Sequence, residues 1–260
     1  MLPPLVTCYQ RFPRTRWRDC VTPNGKHWIE QDDLPPEKSL RSMIGYDLAR
    51  EQSLLGMAMV HGPQEKVVNI GLSIQKHEIP SHTTISSYIE SLSHKLTPLE
   101  LAAITAAPDP DATLRRLSTI LALKSSYVKA TGQNATFDWT RLEFDVDNKS
   151  ATVDGHALKG WEFRLYRTKL GMTHGTEVYQ CCTAFFQGCD DLKLVWYDDP
   201  KQLESWVQFI NIDQILELKD AYLRTTKANG HGGESACSRS RLVPGNLFPS
   251  FGNVLTPALG

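Results

Sequence analysis

The 260-residue chain lacks an excess of charge, a long apolar run and closely paired cysteines, and each absence excludes a class of protein. Its 28 basic and 29 acidic residues leave a net charge of −1, so no overall field favours nucleic acid or an anionic membrane as a partner. No apolar run approaches the length of a membrane span, and the start shows no basic stretch followed by an apolar one. We therefore expect a cytoplasmic protein that binds neither nucleic acid nor a membrane.

The six cysteines are spaced without a Cys-x-x-Cys pair. In a cytoplasmic protein this spacing predicts free thiols, with no disulfide and no zinc site. What the chain does have is the composition of a soluble globular protein, because hydrophobic residues make up 41% and charged residues 22% of it. Those proportions are typical of a chain with a buried core.

Two helices are the clearest local predictions. The segment Thr97–Glu100 combines a capping box with proline at the first helical position, which predicts a helix to about Ala106. A second helix is predicted from about Ala112 to Thr131, where leucines recur at helical spacing, and Gly132 is placed to end it.

Short β-rich segments around these helices predict strands near 25–30, at 66–74, and then at 141–146, 151–153, 161–166, 178–186 and 193–196. The later ones predict an antiparallel meander. From Asp47 onward the pattern fits either a helix followed by a strand or two strands. A helical pattern returns over 199–223, and the Gly-, Ser- and Pro-rich residues 225–260 are predicted to be disordered.

The sequence of residues 121–132 is Leu-Ala-Leu-Lys-Ser-Ser-Tyr-Val-Lys-Ala-Thr-Gly. It resembles the signature helix of the 4′-phosphopantetheinyl transferases of the surfactin-synthetase-activating type, Trp-x-Leu-Lys-Glu-Ala-Tyr-Val-Lys-Ala-Thr-Gly. Members of that family move the phosphopantetheine arm of coenzyme A onto a serine of a carrier protein. The glutamate of the signature is a magnesium ligand in the family, and Ser125 stands in its place here.

Two further segments carry the resemblance. Residues 68–74 resemble the Gly-Val-Asp-Ile strand of the family, with Ser73 at the metal-binding aspartate and Gln75 at the next ligand position. Residues 47–55 resemble the family's Asn-Val-Ser-His-Gln segment, whose Ser and His hold coenzyme A phosphates. Those two positions are Ala49 and Arg50 here.

The resemblance implies an α+β fold of two pseudosymmetric α/β halves that clasp coenzyme A and Mg²⁺ at their interface. Because the chain begins late relative to the family, we expect a shortened first half over residues 1–105. The second half, with the signature helix and an antiparallel sheet, is expected over 106–224, and a tail over 225–260.

The neutral residues at the metal positions lead us to expect that metal-dependent transfer has been lost and that no cofactor is used. The resulting hypothesis is an enzyme of polyketide-type secondary metabolism that performs a metal-free acid–base step, such as aldol condensation or cyclisation. Its substrate would be a polyketide-like small molecule or a carrier-bound intermediate. The predicted catalytic residues are Lys124, Tyr127, Ser125, Ser73 and Glu51, and the predicted ligand-binding residues are Asp47, Arg50, Gln75 and Lys129, with no metal.

Two alternatives remain open. One is an active 4′-phosphopantetheinyl transferase that uses coenzyme A and Mg²⁺, with metal ligands recruited from elsewhere, for example Asp47, Glu51 or Glu78. The other is a non-catalytic module that binds carrier proteins. An apolar pocket with two or three convergent polar groups would favour the metal-free enzyme, and a basic slot with a carboxylate pair would favour the active transferase. A closed, filled cleft would favour the binding module.

Overall fold

The computed structural model describes residues 17–31, 43–172, 175–189, 191–204, 206–211, 213–217 and 220. Residues 18–198 form one compact unit, which the following paragraphs concern, and the helix α5 belongs to the other. The helices are α1 (Gln64–Val67), α2 (Ile85–Leu92), α3 (Pro98–Thr105), α4 (Pro110–Ala130) and α5 (Pro200–Glu204). Among these described helices, none is long and apolar enough to cross a membrane.

The strands belong to three sheets, so the predicted α+β class is confirmed. The strands are β1 (Trp17–Val21), β2 (His27–Gln31), β3 (Met43–Glu51), β4 (Leu54–Gly62), β5 (Ile70–Lys76), β6 (Leu142–Asp145), β7 (Ser150–Val153), β8 (His156–Ala157), β9 (Trp161–Met172), β10 (Gly175–Phe186) and β11 (Lys193–Tyr197). The first sheet has the order β1-β2-β3-β4, the second β11-β9-β10-β5, and the third β6-β7-β8.

The two predicted helices are confirmed together with their caps. Thr97 and Glu100 form the capping box of α3. Asp109 caps α4 by accepting a hydrogen bond from the Ala112 backbone N–H, and Pro110 occupies the first turn. Gly132 follows the helix with φ of +64°, the left-handed conformation that glycine adopts without steric cost.

Several strand predictions differ from the structure. The predicted strand 66–74 is in fact the short helix α1 followed by β5, which begins at Ile70. For the segment from Asp47, the alternative without a helix is correct, because β3 and β4 form an antiparallel hairpin. The later strands are not a simple meander, because β10 pairs with β5 and β11 runs parallel to β9.

Two other expectations have different outcomes. Of the helix predicted over 199–223, the structure has α5 and helical residues at 213–217, with a non-helical stretch over 206–211 between them. The predicted disordered tail 225–260 lies outside the described residues. The described cysteines, Cys20, Cys181, Cys182 and Cys189, are free thiols as predicted, whereas Cys8 and Cys237 fall outside the described ranges.

Candidate functional site

The long helix α4 and the strand β5 lie directly against each other. A Cβ atom at Gly71 would come within 2.1 Å of the Ser126 carbonyl oxygen, so a side chain at this position would clash with the helix backbone. Ser126 Oγ also donates to Cys182 Sγ at 3.3 Å, and Cys182 pairs with Ser73 across the sheet. Because alternate residues of a strand share a face, Ser73 and Gln75 lie on the face that α4 covers.

Lys129 joins the three segments that the resemblance places around one cleft. Its Nζ donates to the carbonyl oxygens of Leu48 in β3 and Leu72 in β5, both at 3.0 Å. Asp47 Oδ2 accepts a hydrogen bond from the Leu72 backbone N–H at 2.7 Å and lies 3.8 Å from Lys129 Nζ. The three segments therefore meet around the Lys129 ammonium, as predicted.

Lys26 is a second cation at this place, and it was not predicted from the sequence. It is 7% exposed, and its Nζ donates to the carbonyl oxygens of Ile70 and Lys129. Burial lowers the pKa of the Lys26 amine, while the negative charge of Asp47 acts in the opposite direction. The lysine directly follows a turn at 22–25, a local pattern that says nothing about so distant a contact.

The three positions that carry magnesium ligands in the family hold neutral side chains here. Ser73 is 2% exposed, and its Oγ accepts a hydrogen bond from Gln75 Nε2 at 3.1 Å. Ser125 is half-buried and lies one helical turn before Lys129, on the side of α4 that reaches β5. Within the described ranges, no group of three or more His, Cys, Asp or Glu side chains is arranged to hold a metal ion.

The structure places Lys124, a predicted catalytic residue, in the protein interior with no exposed surface. Its ammonium contacts Glu100 Oε2 at 2.6 Å and donates to the carbonyl oxygens of Lys95 and Trp139 at 2.8 and 2.9 Å. These acceptors engage all three ammonium protons. Burial lowers the pKa of Lys124 and raises that of Glu100, and the ion pair opposes both changes. This geometry describes a structural ion pair rather than a group that faces a ligand.

Tyr127, also predicted as catalytic, lies in the core beneath α4. It is 8% exposed, and its ring packs edge-on against Trp161 with ring centroids 4.9 Å apart. Burial raises the pKa of the phenol above its ordinary value. The structure therefore separates Tyr127 from the residues gathered around Lys129.

The remaining predicted residues lie on two opposite faces of the strand β3, near its end. Asp47, Ala49 and Glu51 alternate on the face that packs toward β5, where Ala49 lies in a core cluster with Leu72. Arg50 lies on the other face and is exposed. Of the predicted set, contacts in the structure join Asp47 with Lys129 and Ser73 with Gln75.

Comparison with known proteins gives relatives of one kind. No family model matches the chain. It is 27% identical over 211 residues to the 4′-phosphopantetheinyl transferase pptA of Paxillus involutus, a match covering 76% of each chain. It is 29% identical over 206 residues to the L-aminoadipate-semialdehyde dehydrogenase-phosphopantetheinyl transferase of Rattus norvegicus, covering 75% of this chain and 62% of that one. The human protein of the same name matches at 27% over 110 residues, which is 36% of its length.

These relatives correct one expectation. The chain was expected to use no cofactor, but its relatives are named phosphopantetheinyl transferases. Transferases of that kind use coenzyme A as a substrate together with Mg²⁺, so the expectation of no cofactor is wrong. The similarity to these relatives extends over about three quarters of the chain, well beyond the three ligand positions with neutral residues.

Proposed function

As a relative of the 4′-phosphopantetheinyl transferases, the chain falls in their superfamily, and we propose that it transfers the phosphopantetheine arm of coenzyme A to a serine of a carrier protein. The single observation that carries this proposal is that the signature helix and its partner strand are kept together with the Lys129 ammonium at their junction. The partner is an apo carrier protein or carrier domain. Carriers of polyketide and peptide synthetases are the first candidates, and the names of the mammalian relatives add a dehydrogenase of amino acid metabolism.

The reaction requires charge to be stabilised on a pyrophosphate. The carrier serine oxygen forms a bond to the phosphorus that bears the pantetheine arm, the phosphorus–oxygen bond to the second phosphate breaks, and 3′,5′-adenosine diphosphate leaves. The serine proton is released to solvent. Positioned cations promote such a step by stabilising the negative charge that develops on the phosphate oxygens.

Among the described residues, Lys129 is well placed for that role. Its side chain is 38% exposed, whereas its ammonium already lies beside β3 and β5. A phosphate oxygen could replace one of its two carbonyl acceptors and gain a stronger, charge-assisted hydrogen bond. Lys26 is more deeply buried, and its Nζ donates to the backbone carbonyl oxygen of Lys129. It therefore helps to fix the position of Lys129.

The side chains at the family's metal positions carry no negative charge. Ser73, Gln75 and Ser125 offer neutral oxygens, whereas Mg²⁺ in proteins usually takes at least one carboxylate together with substrate phosphates. These three residues alone do not fit the ion, and no step is derived through it. Among the described residues, no contact supports a metal-free aldol or cyclisation step.

The test is a transfer assay followed by intact-mass spectrometry. Purified protein, coenzyme A, Mg²⁺ and an apo carrier protein are expected to give a carrier heavier by one phosphopantetheine group. Lys129→Met is expected to lower kcat/KM by about tenfold or more, equivalent to at least about 1.4 kcal/mol. Lys159→Met is the matched control, because Lys159 is exposed and belongs to a loop before β9. Absence of any mass gain across carriers from synthetases and dehydrogenases would refute the proposal.

A further inference from the structure

The tip of the β3–β4 hairpin is fastened to the second sheet through the hydroxyl of Ser53. Gln52 and Ser53 form the turn between the two strands, and both are exposed. Ser53 Oγ donates to Glu177 Oε2 at 2.6 Å and lies 2.9 Å from the hydroxyl of Tyr179. The Tyr179 hydroxyl donates to the same carboxylate oxygen at 2.8 Å. The contact with β10 thus depends on a proton that Ser53 donates.

Lys76 in β5 completes this network. Its ammonium contacts Glu177 Oε1 at 2.8 Å and Gln52 Oε1 at 2.7 Å, and it also pairs with the Glu78 carboxylate. These three acceptors engage all three ammonium protons. The hydrogen bond from Lys76 and two from neighbouring hydroxyls lower the pKa of Glu177 to about 2, so its carboxylate is ionised at neutral pH. A second anion at the hairpin tip would therefore face Glu177 and would have to displace an acceptor of Lys76.

The sequence before Ser53 carries a charge pattern that protein kinases with a preference for basic residues recognise. Such kinases favour an arginine three residues before the acceptor hydroxyl, and Arg50 occupies that position and is exposed. The same spacing occurs twice more in the chain, at Ser118 and Thr119. Both of those hydroxyls belong to α4 and are only 4% exposed. Of the three candidates, Ser53 is the one that a kinase can reach.

We infer that Ser53 is a phosphorylation site whose modification releases the hairpin tip from β10. In this step Ser53 Oγ forms a bond to the γ-phosphorus of ATP, the bond from that phosphorus to the β–γ bridging oxygen breaks, and ADP leaves. The hydroxyl proton passes to the catalytic carboxylate of the kinase. The phosphate brings a charge of about −1.5 to −2, and next to an acidic side chain it disrupts by repulsion. The hydrogen bond to Glu177 becomes a contact between two anions.

Release of the hairpin tip also affects the contacts of Lys129. The strand β3 presents the Leu48 carbonyl oxygen to Lys129 Nζ at 3.0 Å, and Asp47 accepts from the Leu72 backbone N–H at 2.7 Å. Leu48 and Asp47 precede Ser53 by only five and six residues, so a loosened tip loosens these contacts as well. Phosphorylation is therefore expected to lower the transfer activity. This last consequence rests on the proposed function, whereas the release of the hairpin does not.

The first test is direct phosphorylation. The purified protein is incubated with ATP and the catalytic subunit of cyclic-AMP-dependent protein kinase, and peptide mass spectrometry is expected to place one phosphate on Ser53. Ser53→Ala should remove that phosphate. Arg50→Gln should slow the modification by about tenfold or more, because it removes the charge that the kinase selects. Arg115→Gln, which removes the arginine before the buried Ser118, is the matched control and should be modified like the unmodified protein. Absence of phosphate on Ser53 overturns the inference.

The second test is amide hydrogen exchange, which measures opening of the hairpin. Exchange in β3 and β4 is expected to become about tenfold or more faster after phosphorylation, while α4 keeps its protection. Glu177→Gln replaces the facing anion with an amide that can donate to the phosphate, so phosphorylation of this variant should accelerate exchange much less. Unchanged exchange in the phosphorylated protein, or equal acceleration with and without the Glu177 carboxylate, overturns the inference.

The transfer assay separates this inference from the proposed function. Phosphorylation is expected to lower kcat/KM by about tenfold or more, since small displacements of positioning groups have effects of that size, and treatment with a phosphatase should restore it. Unchanged kcat/KM in the phosphorylated protein overturns the regulatory consequence. No transfer by the unmodified protein instead refutes the proposed function, while the phosphate on Ser53 and the faster exchange of the hairpin still support the modification site.

Discussion

Removing the Lys124 ammonium is expected to be among the most destabilising single changes in this protein. Lys124→Met replaces the cation with an apolar side chain of similar length and leaves the Glu100 carboxylate buried without its counter-charge. Glu100 is 0% exposed and also accepts hydrogen bonds from the Thr97 and Phe144 backbones at 2.9 Å. Leaving one charge of a buried pair uncompensated costs about 3–5 kcal/mol. At about 2–4 °C per kcal/mol, the melting temperature should fall by roughly 6–20 °C.

Thermal melting followed by circular dichroism measures this effect, with Lys159→Met as the exposed control. The double variant Lys124→Met with Glu100→Gln removes both charges and should lose less stability than the sum of the single variants, because neither leaves a lone charge behind. A loss below about 1 kcal/mol in Lys124→Met would refute the argument. So would strictly additive losses in the double variant, since they would mean that the two groups do not interact.

Three further changes have defined outcomes. Gly71→Ala should destabilise the protein by about 1–3 kcal/mol in urea unfolding, because the new Cβ would meet the Ser126 carbonyl oxygen, and unchanged stability would contradict the close packing. Lys26→Met should cost about 1–3 kcal/mol by removing the donor to two buried carbonyl oxygens, and a cost near zero would show that water replaces it. Hydrogen bonds from Lys76, Ser53 and Tyr179 lower the pKa of Glu177 to about 2 from an ordinary 4.5. The stability that ionised Glu177 contributes to the fold is therefore present above pH 4.5 and is lost as the pH falls toward 2. Glu177→Gln should flatten stability over that range, and an unchanged pH profile would rule the contribution out.

The helices could be predicted because their ends are determined by neighbouring residues. The capping box of α3 spans four consecutive positions, and Gly132 follows α4 directly. The strand β5 was placed too early because Val67 and Val68 favour a strand, whereas in the structure Val67 is fully buried in the short helix α1. Intrinsic strand preference is a weak guide when packing determines the outcome.

The site could be predicted only in part, because sequence periodicity identifies the face of a helix but not what covers it. In the structure, Lys129 reaches the strand β5, a contact that the resemblance did not specify. Lys124, five residues earlier, turns instead to Glu100, whose role in the capping box was evident while its ion pair was not. Lys26 reaches a backbone oxygen 103 residues away, a contact that leaves no mark on the local sequence.

The side chains that close the outer edge of β5 have a consequence for the solubility of the protein. This strand is the last in its sheet, and Lys26, Lys129 and Asp47 occupy backbone groups that a further strand would otherwise pair with. Unpaired strand edges are templates for strand addition by another molecule, and lysine is a common means of blocking them. A substitution at Lys129 would free the Leu72 carbonyl oxygen on this edge at the same time as it removes the cation proposed to bind phosphate. The activity of such a variant is therefore best measured on the monomeric fraction, so that strand pairing between molecules is not mistaken for lost phosphate binding.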